Sequence, residues 1–415
     1  MRRLTVKNFS VIKEAELEFG KITVLIGPQA SGKSLLCKLA YFLGREVIRI
    51  AIDLVVNQIT FSEFESSAQQ EFTKWFPNGG WGGDGNWSIT FTSDAYGVTF
   101  SSAASGSSNA ATSFSPEFEQ AYVQRLDATR EEHKRRGFLI GPALQSLAAT
   151  ALLEVAGRGV WDASTYIPLE RSYFVDTKKG YRSLAAESDP ISAQFADVFA
   201  NSLNPTSPKF RISKYLKGNL VPWQNDWMLS FNDGRFLPLS HLSSGGKETL
   251  PIIAALDYYE HQRSNAGNLV SADLYGHNLY SFDDFTIEEP EASIFPQTQY
   301  ELVQEFVGLS GRVDFQPHFT ITTHSPYILT AFNNLIEAGQ VARAKPELKE
   351  DVAKLIPEQY WIKEGDFKAY AIEDGVLKSI VAEDTCLIST NYLDSVSETI
   401  GVEFDELLRL GYVES

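Results

Sequence analysis

Polar and apolar residues alternate through the first part of the chain, as they do in β-strands. The alternation covers residues 3–26, with a turn at Gly20, and ends in the run Ile22-Thr23-Val24-Leu25-Ile26. A short run of apolar and β-branched residues predicts a strand that is buried on both faces. From Ser34 to Ile52 the apolar residues recur at helical spacing, which predicts an amphipathic helix after a short loop.

The middle of the chain carries a less regular pattern. Residues 87–100 predict a hairpin that turns near Asp94-Ala95-Tyr96, and the Ser/Ala-rich stretch 101–113 predicts a mobile loop. Residues 116–156 are expected to form helices that are broken near glycine and proline. Their basic part, from Arg130 to Arg136, is either a solvated helix face or a local contact for nucleic acid or a partner protein.

Short strand signals alternate with helical ones in the rest of the chain. The predicted elements are a strand at Ser164–Pro168, a helix at Pro190–Leu203, a hairpin at Met228–Leu237, a helix at Leu250–His261 with Pro251 near its first turn, strands at Tyr280–Ile287 and His318–Thr322, and a strand pair at Tyr360–Ile362 and Ala369–Ile372. Strands separated by helices are typical of an α/β domain with a mostly parallel sheet.

Composition and charge narrow the classes of function. The chain has 415 residues, 43% of them hydrophobic and 21% charged, so it is expected to fold into two or three domains. Its 53 acidic and 36 basic residues give a net charge of −17, which disfavours non-specific coating of nucleic acid but leaves a local basic groove open. Two cysteines exclude a disulfide framework and a cysteine-based zinc site. Without an apolar stretch of about 18 residues or a signal-peptide pattern, a cytoplasmic protein with no membrane span is expected.

The first candidate site lies between the predicted buried strand and the helix that follows it. Residues 27–34 match the pattern G-x-x-x-x-G-K-[ST], whose backbone N–H groups wrap phosphates at a helix N-terminus. Lys33 is placed to reach the β- and γ-phosphates, and the hydroxyl of Ser34 to ligate Mg²⁺. The competing interpretation is a glycine loop that only turns the chain. The candidate nucleotide-binding residues here are Gly27, Pro28, Ala30, Ser31, Gly32, Lys33, Ser34 and Leu35.

A second candidate site follows the predicted strand that ends at residue 287. Glu288 and Glu289 are adjacent carboxylates, and such a pair is costly at the end of a buried strand unless a positive group is nearby. A Mg²⁺–nucleotide would be that group, with one carboxylate orienting the metal shell and the other aligning a water for in-line attack. Read alone, the pair is a solvated loop.

Two further stretches complete the set. Ser243, Ser244 and Gly245 open a helix, where they either expose N–H groups to an anion or simply cap the helix. His324 follows a strand, where it either contacts a γ-phosphate or the attacking water, or is a bystander. The P-loop and the helix that Ser243 opens can bind the same nucleotide only if the fold brings them together or if two copies of the chain face each other.

Taken in chain order, these four stretches resemble the Walker A, signature, Walker B and switch histidine of ABC/SMC-type AAA-family ATPases. They look more closely like the compact ATP-binding proteins related to the OLD family and to the Septu antiphage ATPase. The resemblance implies two ATP molecules bound in a homodimer, or a higher oligomer, with Walker A of one chain facing the signature of the other. Residues 166–171 also resemble a strand motif of this group, which implies that Arg171 lies near the nucleotide.

The resemblance also implies residue roles. Lys33 would bind phosphates, Ser34 and Glu288 would serve Mg²⁺, Glu289 would be the catalytic base, and His324 would sense the γ-phosphate. Glu288 stands where the family usually has aspartate, and its extra methylene is expected to disturb the Mg²⁺ shell and slow hydrolysis.

The predicted fold is therefore an α/β P-loop NTPase of the ABC/SMC-head type, with an antiparallel β subdomain and a helical insertion. Predicted domain boundaries give an N-terminal ATPase lobe with Walker A (1–60), a β-hairpin and helical insertion (61–160), a C-terminal ATPase lobe with signature, Walker B and switch histidine (161–340), and a small C-terminal extension (341–415). The insertion is too short and too broken for long coiled-coil arms.

The expected function is that of an ATP-binding sensor or regulatory subunit of an antiphage complex. OLD nucleases carry a TOPRIM domain after the ATPase, and this sequence shows no pattern for one, so the effector is expected to be a separate protein such as a nuclease. The alternatives are a RecF-like DNA-repair ATPase, a non-hydrolysing scaffold with a structural nucleotide, and a transporter's nucleotide-binding subunit.

Overall fold

One mixed sheet organises the chain. The computed structural model describes residues 2–81, 86–102, 110–136, 148, 151–156, 163–176, 189–203, 209–223, 226–269, 283–312, 315–389 and 402–409. Its strands are β1 (Arg3–Phe9), β2 (Ile12–Glu18), β3 (Ile22–Ile26), β4 (Ser88–Ser93), β5 (Tyr96–Ser102), β6 (Ala110–Phe114), β7 (Ala163–Ile167), β8 (Asn219–Trp223), β9 (Asp226–Ser230), β10 (Phe236–Pro238), β11 (Asp283–Glu288), β12 (His318–Thr322), β13 (Phe367–Glu373) and β14 (Val376–Ser379).

The strands form a sheet with the order β6-β5-β4-β1-β2-β14-β13-β3-β12-β11-β7, and β8 to β10 form a separate antiparallel sheet. From β6 to β2 the neighbours are antiparallel, whereas β13, β3, β12, β11 and β7 all run in the same direction. The predicted combination of an antiparallel part and a mostly parallel central part is confirmed. Parallel neighbours place their carboxyl ends at one edge, and ligand sites of open α/β sheets lie outside that edge.

Helices cover both faces of this sheet. They are α1 (Lys33–Tyr41), α2 (Val47–Val56), α3 (Phe61–Trp75), α4 (Pro116–Arg136), α5 (Tyr173–Asp176), α6 (Pro190–Ser202), α7 (Phe210–Leu216), α8 (Ser244–Leu269), α9 (Pro296–Ser310), α10 (Pro326–Ala344) and α11 (Lys349–Leu355). In β3, Val24 faces the apolar core shared with α6 and α8 to α10, and Leu25 faces the core shared with α1 to α4. The central strands are buried on both faces, as the apolar run of β3 predicts.

The C-terminal segment completes the sheet. β13 pairs in parallel with β3, and β14 pairs with β2, so both strands lie between elements from the first 26 residues. A turn at Asp374-Gly375, where both residues have positive φ, joins the two strands. The predicted strand at Tyr360–Ile362 is wrong, because Glu358–Tyr360 form a helical turn after Pro357.

Two other predictions differ from the structure. The stretch 101–113 is not all loop, since Ser101 and Ser102 end β5 and residues 110–113 pair with it in β6; residues 103–109 lie outside the described residues. Pro251 is interior to α8, because this helix already begins at Ser244. The described part of the strand predicted at Tyr280–Ile287 is β11, and residues 280–282 lie outside the described residues.

None of the helices within the described ranges has the length and apolar character that crossing a membrane requires.

Candidate nucleotide site

Three of the four predicted motifs meet at the carboxyl edge of the parallel strands. Leu25 of β3 is paired with Thr322 of β12, and Thr322 is paired with Glu288 of β11. The residues that follow these three strand ends are therefore neighbours. The P-loop follows β3, His324 follows β12, and the acidic pair lies at the end of β11.

The P-loop has the backbone shape of an anion cradle. Gly27, Ala30 and Gly32 have φ values of 151°, 59° and 105°, and residues with positive φ are a feature of the backbone concavities that bind anions through N–H groups. A Cβ on Gly32 would lie 2.5 Å from the Cδ1 of Ile12, and one on Gly27 would lie 2.8 Å from the carbonyl oxygen of Ile372. Glycine is required here by the positive φ and by the close packing of neighbouring strands and turns.

Lys33 is held inside this loop. Its side chain is buried, and its Nζ donates to the carbonyl oxygens of Gly27 and Pro28 at 2.9 Å each. Burial lowers the pKa of Lys33, and the negative charge of Glu289 opposes that shift. The ammonium group lies where phosphate oxygens would replace the two carbonyls as its partners.

Two hydroxyls of the loop fit a bound phosphate and its metal ion. The buried Oγ of Ser31 has no hydrogen-bond partner among the described residues, although buried polar atoms normally have one. Ser34 is exposed in the first turn of α1, at the positive end of that helix. Mg²⁺ at nucleotide sites is usually held by one or two protein groups together with substrate phosphates, and Ser34 is a group of that kind.

Glu288 has hydrogen-bond partners that the sequence did not reveal. Its Oε1 accepts from the hydroxyl of Tyr166 at 2.8 Å and its Oε2 accepts from the backbone N–H of Leu169 at 3.0 Å. Burial, followed by the charge of Glu288, raises the pKa of Tyr166 and keeps its hydroxyl a donor. The carboxylate thus ties β11 to the end of β7, and its service to Mg²⁺ stays a prediction.

Glu289 and His324 face each other. The Nε2 of His324 lies 3.2 Å from the Oε1 of Glu289, and both side chains are partly exposed. Glu289 has a φ of 41°, in the left-handed region, and its N–H donates to the carbonyl oxygen of Thr322 at 2.9 Å. A carboxylate and an imidazole at this distance can share or relay the proton of a bound water.

Glu291 is a site residue to which the sequence analysis assigned no role. Its Oε1 accepts from the hydroxyl of Thr323 at 2.9 Å and from the backbone N–H of His324 at 2.6 Å. Burial raises the pKa of Glu291. Its position two residues after the acidic pair is the signal that could have identified it, since a third carboxylate so close requires donors of its own.

Arg171 is enclosed by the protein. Its side chain is fully buried, and its guanidinium donates to backbone carbonyl oxygens at the ends of β7 and β11 and in the first turns of α8. Through these contacts, Arg171 stabilises the backbone around the site. Its contact with nucleotide stays a prediction.

The signature stretch lies against a different part of the chain. Ser243 and Ser244 are exposed at the start of α8, and the Oγ of Ser243 accepts from the N–H of Gly246 at 3.2 Å, which is a capping contact. A Cβ on Gly245 would lie 2.8 Å from the carbonyl oxygen of Ser293, which follows the acidic motif. The described contacts of this stretch are thus with the segment beyond Glu289, and its phosphate-binding role stays a prediction.

Comparisons with known proteins agree with this picture. A family model described as "AAA domain, putative AbiEii toxin, Type IV TA system" matches residues 22–330. None of the curated protein sequences matches the chain.

Solved structures with a similar arrangement have low identity to this chain. The SMC head domain from Thermotoga maritima is 12% identical with a TM-score of 0.36, and the match covers 92% of this chain and 98% of the other. An Smc head domain derived from Pyrococcus furiosus, bound to the C-terminal domain of ScpA, is 11% identical with a TM-score of 0.36, covering 96% and 100%. The recombination mediator protein RecF with ATP is 12% identical with a TM-score of 0.35, covering 91% and 98%.

Proposed function

Since this chain belongs to the AAA-domain family described as a putative AbiEii toxin of type IV TA systems, whose model matches more than half of its length, we propose that it binds Mg²⁺–ATP and hydrolyses it slowly. The observation that carries the proposal is the meeting of Lys33, Glu289 and His324 at one edge of the sheet. A buried lysine in a glycine cradle binds phosphate, and a carboxylate beside an imidazole positions a water.

The reaction uses the residues in distinct roles. Lys33 and the N–H groups of residues 27–34 would hold the phosphates, and Ser34 and Glu288 would hold Mg²⁺, which would supply positive charge to neutralise the phosphate oxygens. Glu289 accepts hydrogen bonds from the attacking water and takes its proton, and His324 orients Glu289 and contacts the γ-phosphate. Glu288 also accepts from Tyr166 and Leu169, and sharing the carboxylate between these donors and the metal shell would be one reason for slow turnover.

We further propose that two chains close around two ATP molecules. Ser243 and Ser244 are exposed at the N-terminus of α8, where a phosphate from another chain can reach them. Phe295 and Tyr327, near the acidic motif and the switch histidine in the chain, are 75% and 56% exposed. Exposed aromatic side chains near a site are enriched at protein interfaces.

The biological role that fits best is a nucleotide-controlled regulator in defence against phage, acting on a separate effector such as a nuclease. The family description, with its toxin–antitoxin system, supports this class of role. In the C-terminal segment, β13 and β14 are used to complete the ATPase sheet. The described residues contain no group of three or more His, Cys, Asp or Glu side chains placed to hold a metal ion.

Direct gripping of DNA has less support. Two cations of the basic run in α4 have acidic partners on the same helix, with Arg130 and Asp127 at 3.7 Å and Lys134 and Glu131 at 2.7 Å. With a net charge of −17, such paired cations do not form a strong field for phosphates. Salt-dependent duplex binding that charge reversal at Arg130 abolishes would instead favour the RecF-like alternative.

The assignment is tested by measuring ATP affinity in Lys33→Ala. We expect the affinity to fall at least about tenfold, because the variant removes a buried ammonium from the phosphate site and leaves its fold-stabilising neighbours in place. Lys38→Ala is the matched control, since Lys38 lies on the same helix, is more exposed and is 3.9 Å from Asp189. Equal affinities in the two variants would contradict the site assignment.

A further inference from the structure

Arg171 joins the signature helix to the acidic motif. Its Nε donates to the carbonyl oxygen of Glu248 at 3.0 Å and lies 3.2 Å from the Oε2 of the same residue. Its two terminal nitrogens donate to the carbonyl oxygens of Glu288 at 2.6 Å and Glu289 at 2.8 Å. A fourth carbonyl oxygen, that of Pro168, is 3.2 Å from the nitrogen that contacts Glu288.

These contacts use the planar fork of the guanidinium fully. Arg171 is 0% exposed, and a buried cation is tolerated only when charge and hydrogen bonds compensate its desolvation. Burial lowers the pKa of Arg171, and the carboxylate of Glu248 is the first of the charges that oppose the shift. A lysine cannot make the same set of bonds, because its ammonium is a point and not a rigid fork.

The backbone that Arg171 holds is the one that aims the catalytic carboxylate. Glu289 has a φ of 41°, a conformation that a non-glycine residue adopts only when its surroundings enforce it. Its N–H is held by Thr322 and its carbonyl oxygen by Arg171, so the two contacts fix the peptide groups on both sides of the side chain. On the other side of Arg171, Glu248 lies in α8, four residues after the exposed Ser244 that begins it.

We propose that Arg171 is a positioning residue that transmits engagement of the signature helix to Glu289. A ligand that moves the first turns of α8 moves Glu248, and Arg171 carries that displacement to the carbonyl oxygens of Glu288 and Glu289. The proposal rests on the proposed ATPase function and adds to it a route by which binding at the signature regulates the catalytic carboxylate of the same chain.

The test compares Arg171→Lys with Arg211→Lys. Arg211 is a second buried arginine, on α7, where it contacts Asp257 at 2.8 Å and Glu260 at 2.7 Å, both of α8, together with Glu305 of α9. The control therefore loses a comparable buried network that has no contact with the acidic motif. For both variants, thermal stability, ATP affinity, kcat and dimer formation with a non-hydrolysable ATP analogue are measured.

We expect Arg171→Lys to keep its ATP affinity within about threefold and to form dimers, while its kcat falls by about tenfold or more. Arg211→Lys is expected to lose thermal stability without that selective loss of kcat. Loss of ATP affinity in proportion to kcat would instead mean that Arg171 contacts the nucleotide. Unchanged kcat in Arg171→Lys, or an equal loss in Arg211→Lys, would overturn the proposal.

A second readout does not depend on turnover. Amide hydrogen exchange of residues 288–294 is compared between the wild type and Glu248→Gln, because Glu248 reaches that segment through Arg171. Faster exchange there supports the coupling, and unchanged exchange overturns it. If the wild-type protein neither binds nor hydrolyses ATP, the proposed function fails, whereas the exchange result still decides whether the two segments are coupled.

Discussion

At the scale of single residues, the site is built from backbone conformations that few side chains tolerate. Ala30, Glu289 and Ser293 all have positive φ values, of 59°, 41° and 56°. Such conformations cost about 1–3 kcal/mol each and tend to occur where function requires a fixed geometry. The departure of Glu288 from aspartate also has a local explanation, since the longer side chain reaches Tyr166 and Leu169 at once.

Gly32→Ala tests the shape of the phosphate cradle. We expect unfolding free energy to fall by about 1–3 kcal/mol and ATP affinity to fall with it, because the new Cβ would meet Ile12 at 2.5 Å at a φ of 105°. Urea unfolding and ATP titration measure the two effects. Gly79→Ala is the control, since no atom lies within 4 Å of its added Cβ. Equal results for the two variants would contradict the strain argument.

At the scale of elements, buried ionic contacts fix how strands and helices meet. At the opposite edge of the sheet from the nucleotide site, Arg2, just before β1, donates to the Nδ1 of His318 in β12 at 2.6 Å and contacts Asp284 of β11 at 3.4 Å. On the face of the sheet that α6 and α8 to α10 cover, Arg211 links α7 to α8 and α9. Apolar packing alone does not fix the relative positions of these elements. The buried ionic contacts do, because each joins particular residues.

His318 predicts a dependence of stability on pH. Burial, followed by the charges of Arg2 and Lys21, lowers the pKa of His318 from 6.5 to about 3. Between these values the unfolded chain binds the proton and the folded chain does not, so this residue's contribution to stability is lost as pH falls from about 6.5 towards 3. For one proton, the free energy of unfolding changes by at most about 1.4 kcal/mol per pH unit.

The measurement is urea unfolding between pH 7 and 4.5 for the wild type and His318→Asn. Asparagine keeps an acceptor for Arg2 and removes the titration, so the stability of the variant is expected to fall less steeply as the solution is acidified. Parallel curves would show that His318 does not titrate between the folded and unfolded states as inferred.

At the scale of the whole molecule, the sheet is assembled from distant parts of the sequence. β3 lies between β13 and β12, whose residues are more than 290 positions away in the chain. The segment predicted as a small C-terminal extension therefore contributes central strands, and the carbonyl oxygen of Ile372 lies against the P-loop at Gly27. The nucleotide site and the C-terminal segment are parts of one folding unit.

Ala371→Asp tests whether the nucleotide site and the C-terminal segment fold as one unit. Ala371 is 1% exposed in β13, so a buried carboxylate there is expected to lower unfolding free energy by several kcal/mol, on the order of 3–5 kcal/mol, and to abolish ATP binding. Leu355, in the same segment, is 83% exposed, so Leu355→Asp is expected to change the unfolding free energy by less than about 0.5 kcal/mol. A stable, ATP-binding Ala371→Asp variant would show that the C-terminal strands are dispensable.

Glu289→Gln tests the assembly of two chains. The amide keeps the size of the side chain but cannot accept the proton of the attacking water, so ATP-bound dimers are expected to accumulate. Light scattering with and without Mg²⁺–ATP measures the mass, with Glu301→Gln, the same change at a partly exposed residue of α9 outside the site, as the control. A variant that stays monomeric with saturating ATP would contradict the proposed dimer.

The strands and helices nearest the site followed directly from local patterns. The run of Ile22–Ile26, the glycine loop and the strand His318–Thr322 are all as expected, because each depends on neighbours in the sequence. One prediction failed because a partner strand decides the outcome. Residues 110–113 have a loop-like composition and become a strand because β5 supplies their hydrogen bonds.

The same division holds for the site. Sequence alone determined the P-loop, the acidic pair and the histidine, since the chemistry of phosphate binding requires those residue types at short, fixed spacings. Only the tertiary structure decided that Tyr166 and Leu169 engage Glu288 and that Arg171 connects Glu248 with Glu289. Those contacts join residues up to about 120 positions apart, and they exist because parallel pairing of β7, β11 and β12 brings their carboxyl ends to one edge.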